Sequence, residues 1–192
     1  MQIRVHRATT ADIPAAAQTL AVAFEQYPWT RWSIPDEGYA DRLEALQRIY
    51  LEHALACGLV LVAGDADGVL ALMPPEAPAP TDEAQTRIAA LLGERLPLLL
   101  AAELPRTPTG AWELATLGVH PSSWGRGIGG ALLAHALREV GQAGPVPVAL
   151  ETSDPRNVTL YSRHGFVVAA TTTITEGPVV YSMVRPGTDA AS

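Results

Sequence analysis

A length of 192 residues predicts a single domain, and a hydrophobic fraction of 48% with 17% charged residues can fill a substantial core, which argues against wholesale disorder. The formal net charge is −7 and all thirteen basic residues are arginines, so the broad basic surface of a nucleic-acid-binding protein is excluded and a cationic substrate is weakly favoured. No apolar run reaches the ~20 residues of a membrane span. The first residues lack a secretory leader's apolar segment, and Cys57, the single cysteine, has no partner residue for a disulfide or a zinc site. We therefore expect a cytoplasmic protein without metal, nucleic-acid or membrane partners.

Strands and helices alternate in the first half of the chain. Ile3 and Val5 alternate with polar residues, as in a strand with one buried face, and Pro14 suits the first turn of a helix. The sequence Gly64-Asp65-Ala66-Asp67-Gly68 is a strong hairpin turn signal. The predicted elements are a strand at 2–8, a helix at 13–25, an aromatic loop at 27–35, a helix at 38–57 and strands at 59–63 and 69–72.

Residues 73–81 carry four prolines and admit two interpretations. They either link two domains or lead into one added helix at 82–102, and we favour the helix because long unstructured loops are uncommon inside compact domains. The remaining predicted elements are a strand at 111–119, a helix at 127–140, a strand at 148–151, a helix at 157–164 and strands at 166–175 and 179–185. This alternation predicts one α/β (α+β) domain over residues 1–192, with an inserted loop and helix at about 74–110 and a flexible tail at 186–192.

A glycine-rich turn joins the strand at 111–119 to the helix at 127–140. It reads Trp124-Gly125-Arg126-Gly127-Ile128-Gly129-Gly130. Glycines adopt positive φ and let the main chain approach a ligand closely, so successive N–H groups converge at the positive end of the following helix. Such a turn is typical of a pyrophosphate-binding site.

The same glycines also fit the G-x-G-x-x-G fingerprint of dinucleotide-binding proteins, with Glu151 as the acidic residue 21 positions after Gly130. Three features count against that interpretation. Five residues separate the strand from the first glycine, where the fingerprint turn is immediate, and only 41 residues follow Glu151, too few for a second nucleotide-binding half. The later segment around Tyr161 would also have no role. A dinucleotide-binding oxidoreductase is therefore the least favoured alternative.

At these residues the chain resembles the GNAT superfamily of N-acetyltransferases, whose coenzyme A motif is Gln or Arg, two residues, Gly, one residue, then Gly or Ala. Residues 124–129 fit this motif, except that Trp124 stands in place of the Gln or Arg. The similarity is greatest to puromycin N-acetyltransferase-like proteins; it extends over nearly the whole chain and is thinnest between about 74 and 110. The resemblance implies acetyl-CoA as cofactor and a central mixed, mostly antiparallel sheet of about seven strands, splayed between strands four and five. The segments that carry it are 7–9, 19–24, 111–119, 150–157 and 161–166.

The resemblance also implies which residues hold coenzyme A. Main chain of Leu117 and Val119 pairs with the pantetheine arm, and the amide of Val119 stabilises the developing oxyanion. The Asn157 amide lies on the pantetheine and the Tyr161 hydroxyl near the sulfur, where a protonated phenol can donate to the leaving thiolate. The structural alternatives for this pair are a helix N-cap and a packed aromatic ring. The expected cofactor-binding set is Leu117, Gly118, Val119, Trp124, Gly125, Arg126, Gly127, Ile128, Gly129, Gly130, Asn157, Tyr161 and Arg163.

Two carboxylates compete for the role of general base. Glu113 lies six residues before Val119, where histone-acetyltransferase-like members of the superfamily carry a catalytic Glu and puromycin N-acetyltransferase-like members carry Phe. Glu151 matches the latter proteins. Period-two alternation puts Glu113 on the same strand face as Leu117 and Val119. A structural, hydrogen-bonded carboxylate is the alternative for either residue, so the base stays open between Glu113, Glu151 and neither.

The aromatic loop supplies the candidate acceptor-binding residues Tyr27, Trp29 and Trp32. In GNAT proteins this region walls the acceptor site, and flat rings suit an aromatic or apolar amine. A hydrophobic lid or a dimer contact is an equal alternative, and a homodimer is one expectation.

The favoured function is transfer of an acetyl group from acetyl-CoA to a primary amine of a small molecule, by direct attack in a ternary complex. Antibiotic-like compounds are among the candidate acceptors. The alternatives are a protein or peptide N-acetyltransferase and a non-catalytic domain that senses acetyl-CoA. Asn157 and Tyr161 count against the sensor, because binding alone does not require a proton donor at the sulfur.

Overall fold

The computed structural model describes residues 3–142 and 144–187. Within these residues, seven strands form one sheet in the order β1-β2-β3-β4-β5-β7-β6. Neighbouring strands are antiparallel except β4 and β5, which are parallel. The strands are β1 (Val5–Arg7), β2 (Leu59–Ala63), β3 (Gly68–Met73), β4 (Trp112–Val119), β5 (Val148–Thr152), β6 (Val167–Thr173) and β7 (Val179–Arg185).

Helices cover both faces of the sheet. The helix α6 packs on one face, where Leu70, Leu114 and Leu150 meet the fully buried Leu132 and Leu133. The helices α1 and α3 pack on the other face, over a second apolar cluster. The helices are α1 (Ile13–Ala23), α2 (Pro28–Ser33), α3 (Tyr39–Cys57), α4 (Asp82–Leu92), α5 (Leu96–Ala101), α6 (Ile128–Gly141) and α7 (Pro155–Ser162). The fold class predicted from the sequence, a seven-stranded mixed sheet flanked by helices, is confirmed.

The sheet splays between β4 and β5. These strands pair only from Trp112 to Leu114, so residues 115–119 of β4 have β3 on one side and no strand on the other. The register between β3 and β4 also shifts at Ala71 and Leu72, which pair with Thr116 and Leu114 and leave one extra residue on β4. This bulge reverses the alternation of the strand beyond it.

The bulge overturns the expectation that Glu113 shares a strand face with Leu117 and Val119. Glu113 pairs with Met73, which packs on the α1 and α3 side, whereas Leu117 and Val119 pack against the cluster under α6. Strict period-two alternation holds only along an unbroken ladder. The carboxylate and the two strand-end residues therefore lie on opposite faces.

The segment expected as an aromatic loop is largely helical. Tyr27 is extended and Pro28 occupies the first turn of α2, where its fixed φ suits a helix start. The Thr30 hydroxyl donates to the Phe24 and Tyr27 carbonyls, which closes the turn before the helix. The helix ends at the extended residue Ile34, because Pro35 disfavours helical backbone at the position before it.

The inserted helix expected at 82–102 is two helices. Gly93 has a φ of 51° and interrupts the run, so α4 ends there and α5 begins after a single 3₁₀ turn at Gly93–Arg95. The insertion packs on α3, since Arg42 Nη1 donates to the Leu91 carbonyl at 2.7 Å and Leu92 joins the cluster around Leu43. The tail predicted at 186–192 lies outside the described residues from position 188 on.

Candidate active site

The splay opens a cavity of about 410 Å³ between the sheet, α2, α3 and the insertion. Strands β4 and β5 form its floor, α3 the opposite wall, and Leu92 and Leu99 of the insertion part of its cover. Its volume lies within the range of small-molecule sites. The polar residues in its lining are Tyr27, Trp29, Thr30, Ser33, Gln47, Tyr50, His53, Glu113, Thr116, Glu151, Thr152, Ser153, Asn157 and Tyr161.

The free edge of β4 presents two backbone amides to the cleft. The His120 N–H donates to the Asp67 carbonyl, on the β3 side of the strand. Because N–H groups along a strand alternate between its two sides, the Gly118 N–H also faces β3, and those of Leu117 and Val119 face the splay. An extended ligand could add to this edge as a further strand.

The glycine-rich turn stands at the end of the same edge. Gly125 and Gly127 have φ of 74° and 78°, and no atom lies within 4 Å of where a Cβ would be at either residue. No side chain caps the start of α6 at Gly127, so the first N–H groups of the helix are free to bind a ligand. A turn of this kind, open on its outer side and at a helix N-terminus, fits a phosphate group.

Asp67, which the sequence analysis missed, holds the segment before the glycine-rich turn in place through hydrogen bonds. Asp67, in the β2–β3 hairpin, accepts from the Ser123 hydroxyl through Oδ1 at 2.8 Å and from the His120 N–H through its carbonyl. Ser123 is only 2% exposed, and its hydroxyl also accepts from Arg126 Nη1 at 3.1 Å. The hairpin turn was recognised as a turn, but nothing in the sequence pairs it with a segment 56 residues away.

The remaining predicted turn residues have different environments. The Trp124 side chain is exposed, and its Nε1 donates to the Val119 carbonyl at 2.8 Å, so it braces the strand end. The side chain of Ile128 is buried in the core, which leaves its backbone for any ligand. Gly118 allows close packing, because a Cβ there would lie 2.6 Å from Leu20. Arg163 is exposed after α7.

The helix α7 carries Asn157 and Tyr161 into the cavity. Its N-cap is Asp154, which accepts from the Arg156 N–H, so Asn157 is not the cap. The Asn157 side chain instead donates from Nδ2 to Thr152 Oγ1 at 3.2 Å. The Tyr161 ring is buried against Phe166, and burial, with a smaller effect of Tyr27, raises the pKa of its phenol well above the usual value. The phenol is therefore protonated at any physiological pH.

Glu113 and Glu151 lie on the same side of the floor. Glu113 pairs with Ala149, two residues before Glu151, so the two carboxylates project from the same face of neighbouring strands. Glu151 is accessible from the cavity but closely surrounded by protein, and this desolvation, followed by the charge of Glu113, raises its pKa. The Ser182 hydroxyl, 3.5 Å from Glu151 Oε1, opposes this rise. A carboxylate with a raised pKa is a better proton acceptor than an ordinary one.

Tyr27 joins the acceptor wall to the end of β5. Its hydroxyl accepts from the Ser153 N–H at 2.7 Å and lies 2.9 Å from Thr152 Oγ1. The Trp29 N–H donates to Ser153 Oγ at 3.1 Å. Trp32 packs against Trp29 in a tilted arrangement with ring centroids 5.1 Å apart, but it is outside the lining of the cavity. The structure thus brings two of the three predicted acceptor residues to the cavity.

Two absences apply to the part of the chain that the structure describes. No helix there is long and apolar enough to cross a membrane. Nor do its His, Cys, Asp and Glu side chains form a group of three or more that could hold a metal ion.

Comparison with known proteins agrees with this geometry. Residues 99–168 match the family model described as acetyltransferase (GNAT) domain, a segment that contains β4, the glycine-rich turn, α6, β5 and α7. A solved structure from Corynebacterium glutamicum, described as histone acetyltransferase HPA2 and related acetyltransferase, is 27% identical, with all of both chains covered and a TM-score of 0.79.

Two further solved structures share the fold at lower identity. PaiA N-acetyltransferase from Thermoplasma acidophilum, in complex with coenzyme A, is 14% identical over 97% of this chain and 99% of its own, with a TM-score of 0.64. The ribosomal-protein-S18-alanine N-acetyltransferase of Escherichia coli is 18% identical over 100% and 97%, with a TM-score of 0.57. Residues 99–168 therefore match an acetyltransferase (GNAT) domain, and the whole chain shares its fold with solved acetyltransferase structures.

Proposed function

We propose that this enzyme transfers the acetyl group of acetyl-CoA to a primary amine of a small molecule. The observation that carries the proposal is the cavity at the splay, whose floor holds Glu113 and Glu151 and whose described lining contains no arginine. Two carboxylates without an arginine to neutralise them favour a cationic group and disfavour an anionic one. A volume of about 410 Å³ is also of the size that takes a compact acceptor.

The residues present fit coenzyme A. The open turn at Gly125–Gly130 and the uncapped start of α6 would hold its pyrophosphate, and the free amides of Leu117 and Val119 would pair with its pantetheine arm. Bound there, acetyl-CoA supplies the thioester acetyl group. Asn157 stands across the cleft from β4, with its amide oriented by Thr152.

Different side chains of the cavity remove a proton from the acceptor and donate a proton to the leaving group. Glu151 or Glu113 takes the proton of the acceptor ammonium, so that the free amine can attack. Tyr161 holds a proton to give to the sulfur of the leaving thiol, and the Val119 N–H can stabilise negative charge on the carbonyl oxygen. The described lining contains no cysteine, which supports direct transfer between the two substrates rather than through an enzyme thiol.

The experiment is thiol release from acetyl-CoA with a panel of amines that includes puromycin and arylalkylamines, beside a set of peptides. We expect turnover with at least one small amine and an increase in melting temperature with acetyl-CoA alone. The Tyr161→Phe variant, which lacks the proposed proton donor, serves as the control for background hydrolysis of acetyl-CoA. Turnover restricted to peptides would refute the small-molecule proposal, and no thermal shift with acetyl-CoA would refute cofactor binding.

The second candidate is acetylation of a protein or peptide. It is favoured by the description of the Corynebacterium glutamicum structure as a histone acetyltransferase and related acetyltransferase. Leu92 and Leu99 of the insertion line the cavity in this chain, so a peptide acceptor would have to bind beside them. The peptide half of the panel decides between the two candidates.

A further inference from the structure

The α3 wall of the cavity carries an amide that has no hydrogen-bond partner in the described chain. Gln47 is 8% exposed and lines the cavity. Among the residues that the structure describes, no group hydrogen bonds to its side chain, whereas Thr30 and Thr152 of the same lining are bonded. Ser33, 3% exposed in the same lining, also has a hydroxyl without a partner in the described chain.

The amide of Gln47 is open to the cavity, since the buried polar atoms without a partner in the described chain are His6 Nδ1 and Arg95 Nε. Gln47 lies one turn beyond Leu43 and next to Leu46, on the apolar side of α3, where a leucine would pack without any lost hydrogen bond. The accessible side of Gln47 is the cavity itself, so a ligand bound there can hydrogen bond to this amide in place of water.

We propose that Gln47, with Ser33 beside it in the lining, binds a neutral hydrogen-bonding group of the acceptor, such as a hydroxyl or an amide. This inference rests on the proposed function and specifies the acceptor further. Gln47 stands on the helical wall and the carboxylates on the sheet floor, so the acceptor carries its amine at one end and this second polar group at the other. The second group is neutral because an amide and a hydroxyl cannot compensate a buried charge.

The part of the acceptor between these two ends is apolar. Leu43, Leu46, Leu92, Leu99 and Trp29 surround the space between the wall and the floor. These side chains gain by burying a ring or a branched aliphatic body. The acceptor class is therefore an arylalkylamine or a similar apolar amine with a distal hydroxyl, ether or amide.

The test compares acceptors that differ only at the distal group. The probes are 2-(4-hydroxyphenyl)ethylamine and 2-(4-methylphenyl)ethylamine, which are nearly equal in size, and the corresponding phenylpropylamines, which place the group farther from the amine. Each is assayed by thiol release with the wild type, with Gln47→Leu and with Gln18→Leu. The last is a matched control, because Gln18 is exposed on α1 and outside the cavity.

We expect the wild type and Gln18→Leu to prefer a hydroxyl probe over its methyl partner by roughly five- to tenfold in kcat/KM, the effect of one hydrogen bond. Gln47→Leu should abolish this preference by raising KM for the hydroxyl probe only, and its melting temperature should stay close to that of the wild type, since the substitution breaks no hydrogen bond of the described chain. Equal use of the paired probes by the wild type, or an equal loss for both in Gln47→Leu, would overturn the inference while leaving the acetyltransferase intact. Absence of thiol release with every amine would overturn the proposed function and this inference with it.

Discussion

Replacing Tyr27 and Tyr161 of the cavity by phenylalanine should affect two different properties, the stability of the fold and the rate of the reaction. The Tyr27 hydroxyl accepts from the Ser153 N–H and contacts Thr152, whereas no described group hydrogen bonds to the Tyr161 hydroxyl. Removing one oxygen from each ring therefore removes a structural contact in the first case and the proposed proton donor in the second. We expect Tyr27→Phe to lower stability and Tyr161→Phe to lower turnover.

The magnitudes follow from burial. Ser153 is 7% exposed, so Tyr27→Phe leaves a buried N–H unpaired, at a cost of about 1–3 kcal/mol. In a chain of this length, each kcal/mol lowers the melting temperature by about 2–4 °C. Tyr161→Phe leaves nothing unpaired and should change the free energy of unfolding by less than about 0.5 kcal/mol. Loss of a general acid should reduce kcat by at least about 100-fold.

The assays are thermal and urea unfolding of both variants, and thiol release with the best acceptor found for the wild type. Because burial raises the pKa of the Tyr161 phenol, its protonated form persists on the basic side, and the wild-type rate should show no loss there from this residue. Equal destabilisation by the two substitutions would refute the assignment of the hydrogen bonds. Unchanged turnover in Tyr161→Phe would remove that residue from the chemistry and restore the sensor as an alternative.

Three further outcomes are expected. If Glu151 is the base, kcat/KM falls as pH decreases through its raised pKa. In that case Glu113→Gln removes a repelling charge, lowers the pKa of Glu151 and moves the fall in the pH–rate profile to lower pH. If Glu113 is the base, the same variant is inactive at every pH. Gly127→Ala forces a residue with a Cβ to a φ of 78°, which should cost about 1–2 kcal/mol in urea unfolding and raise KM for acetyl-CoA, whereas normal values of both would show that the turn tolerates a side chain. Asp67→Ala unfastens the turn through Ser123 and should raise KM for acetyl-CoA more than KM for the amine; equal changes in both constants would count against that link.

Local patterns were sufficient to predict most elements. The turn signal at 64–68, the apolar period of α6 and the glycines before it each act over a few residues, and the strand and helix boundaries there fall within about two residues of the prediction. Two helical segments were less accessible. Whether residues 27–35 form a helix depends on contacts of Thr30 with carbonyls outside it, and the break at Gly93 needs a positive φ that an isolated glycine does not reveal.

The candidate site can be read from the sequence where a motif carries it, and not where tertiary contacts carry it. The turn at 124–130 and the pair Asn157 and Tyr161 come from the resemblance and stay predictions as binding residues, whereas the contact of Asp67 with the turn and the position of Gln47 in the cavity lining are visible only in the structure. A signal for Gln47 did exist. It is a polar residue within the apolar face of α3, and an exception of this kind to a helical pattern is visible in the amino-acid sequence alone.

The single extra residue in β4, Ala115, determines which groups of the strand face the cleft on its free edge and which face the acceptor side of the cavity. Before the bulge the strand pairs on both sides, with the Trp112 N–H donating to the Pro147 carbonyl toward β5 and the Glu113 side chain toward α3. If the alternation continued unbroken, the Gly118 amide would face the splay and those of Leu117 and Val119 would face β3. The shift at Ala115 turns the latter two amides to the cleft and leaves the carboxylate on the acceptor side. The free amides of Leu117 and Val119 and the Glu113 carboxylate thus serve different sides of one strand, an arrangement that no period-two pattern in its sequence predicts.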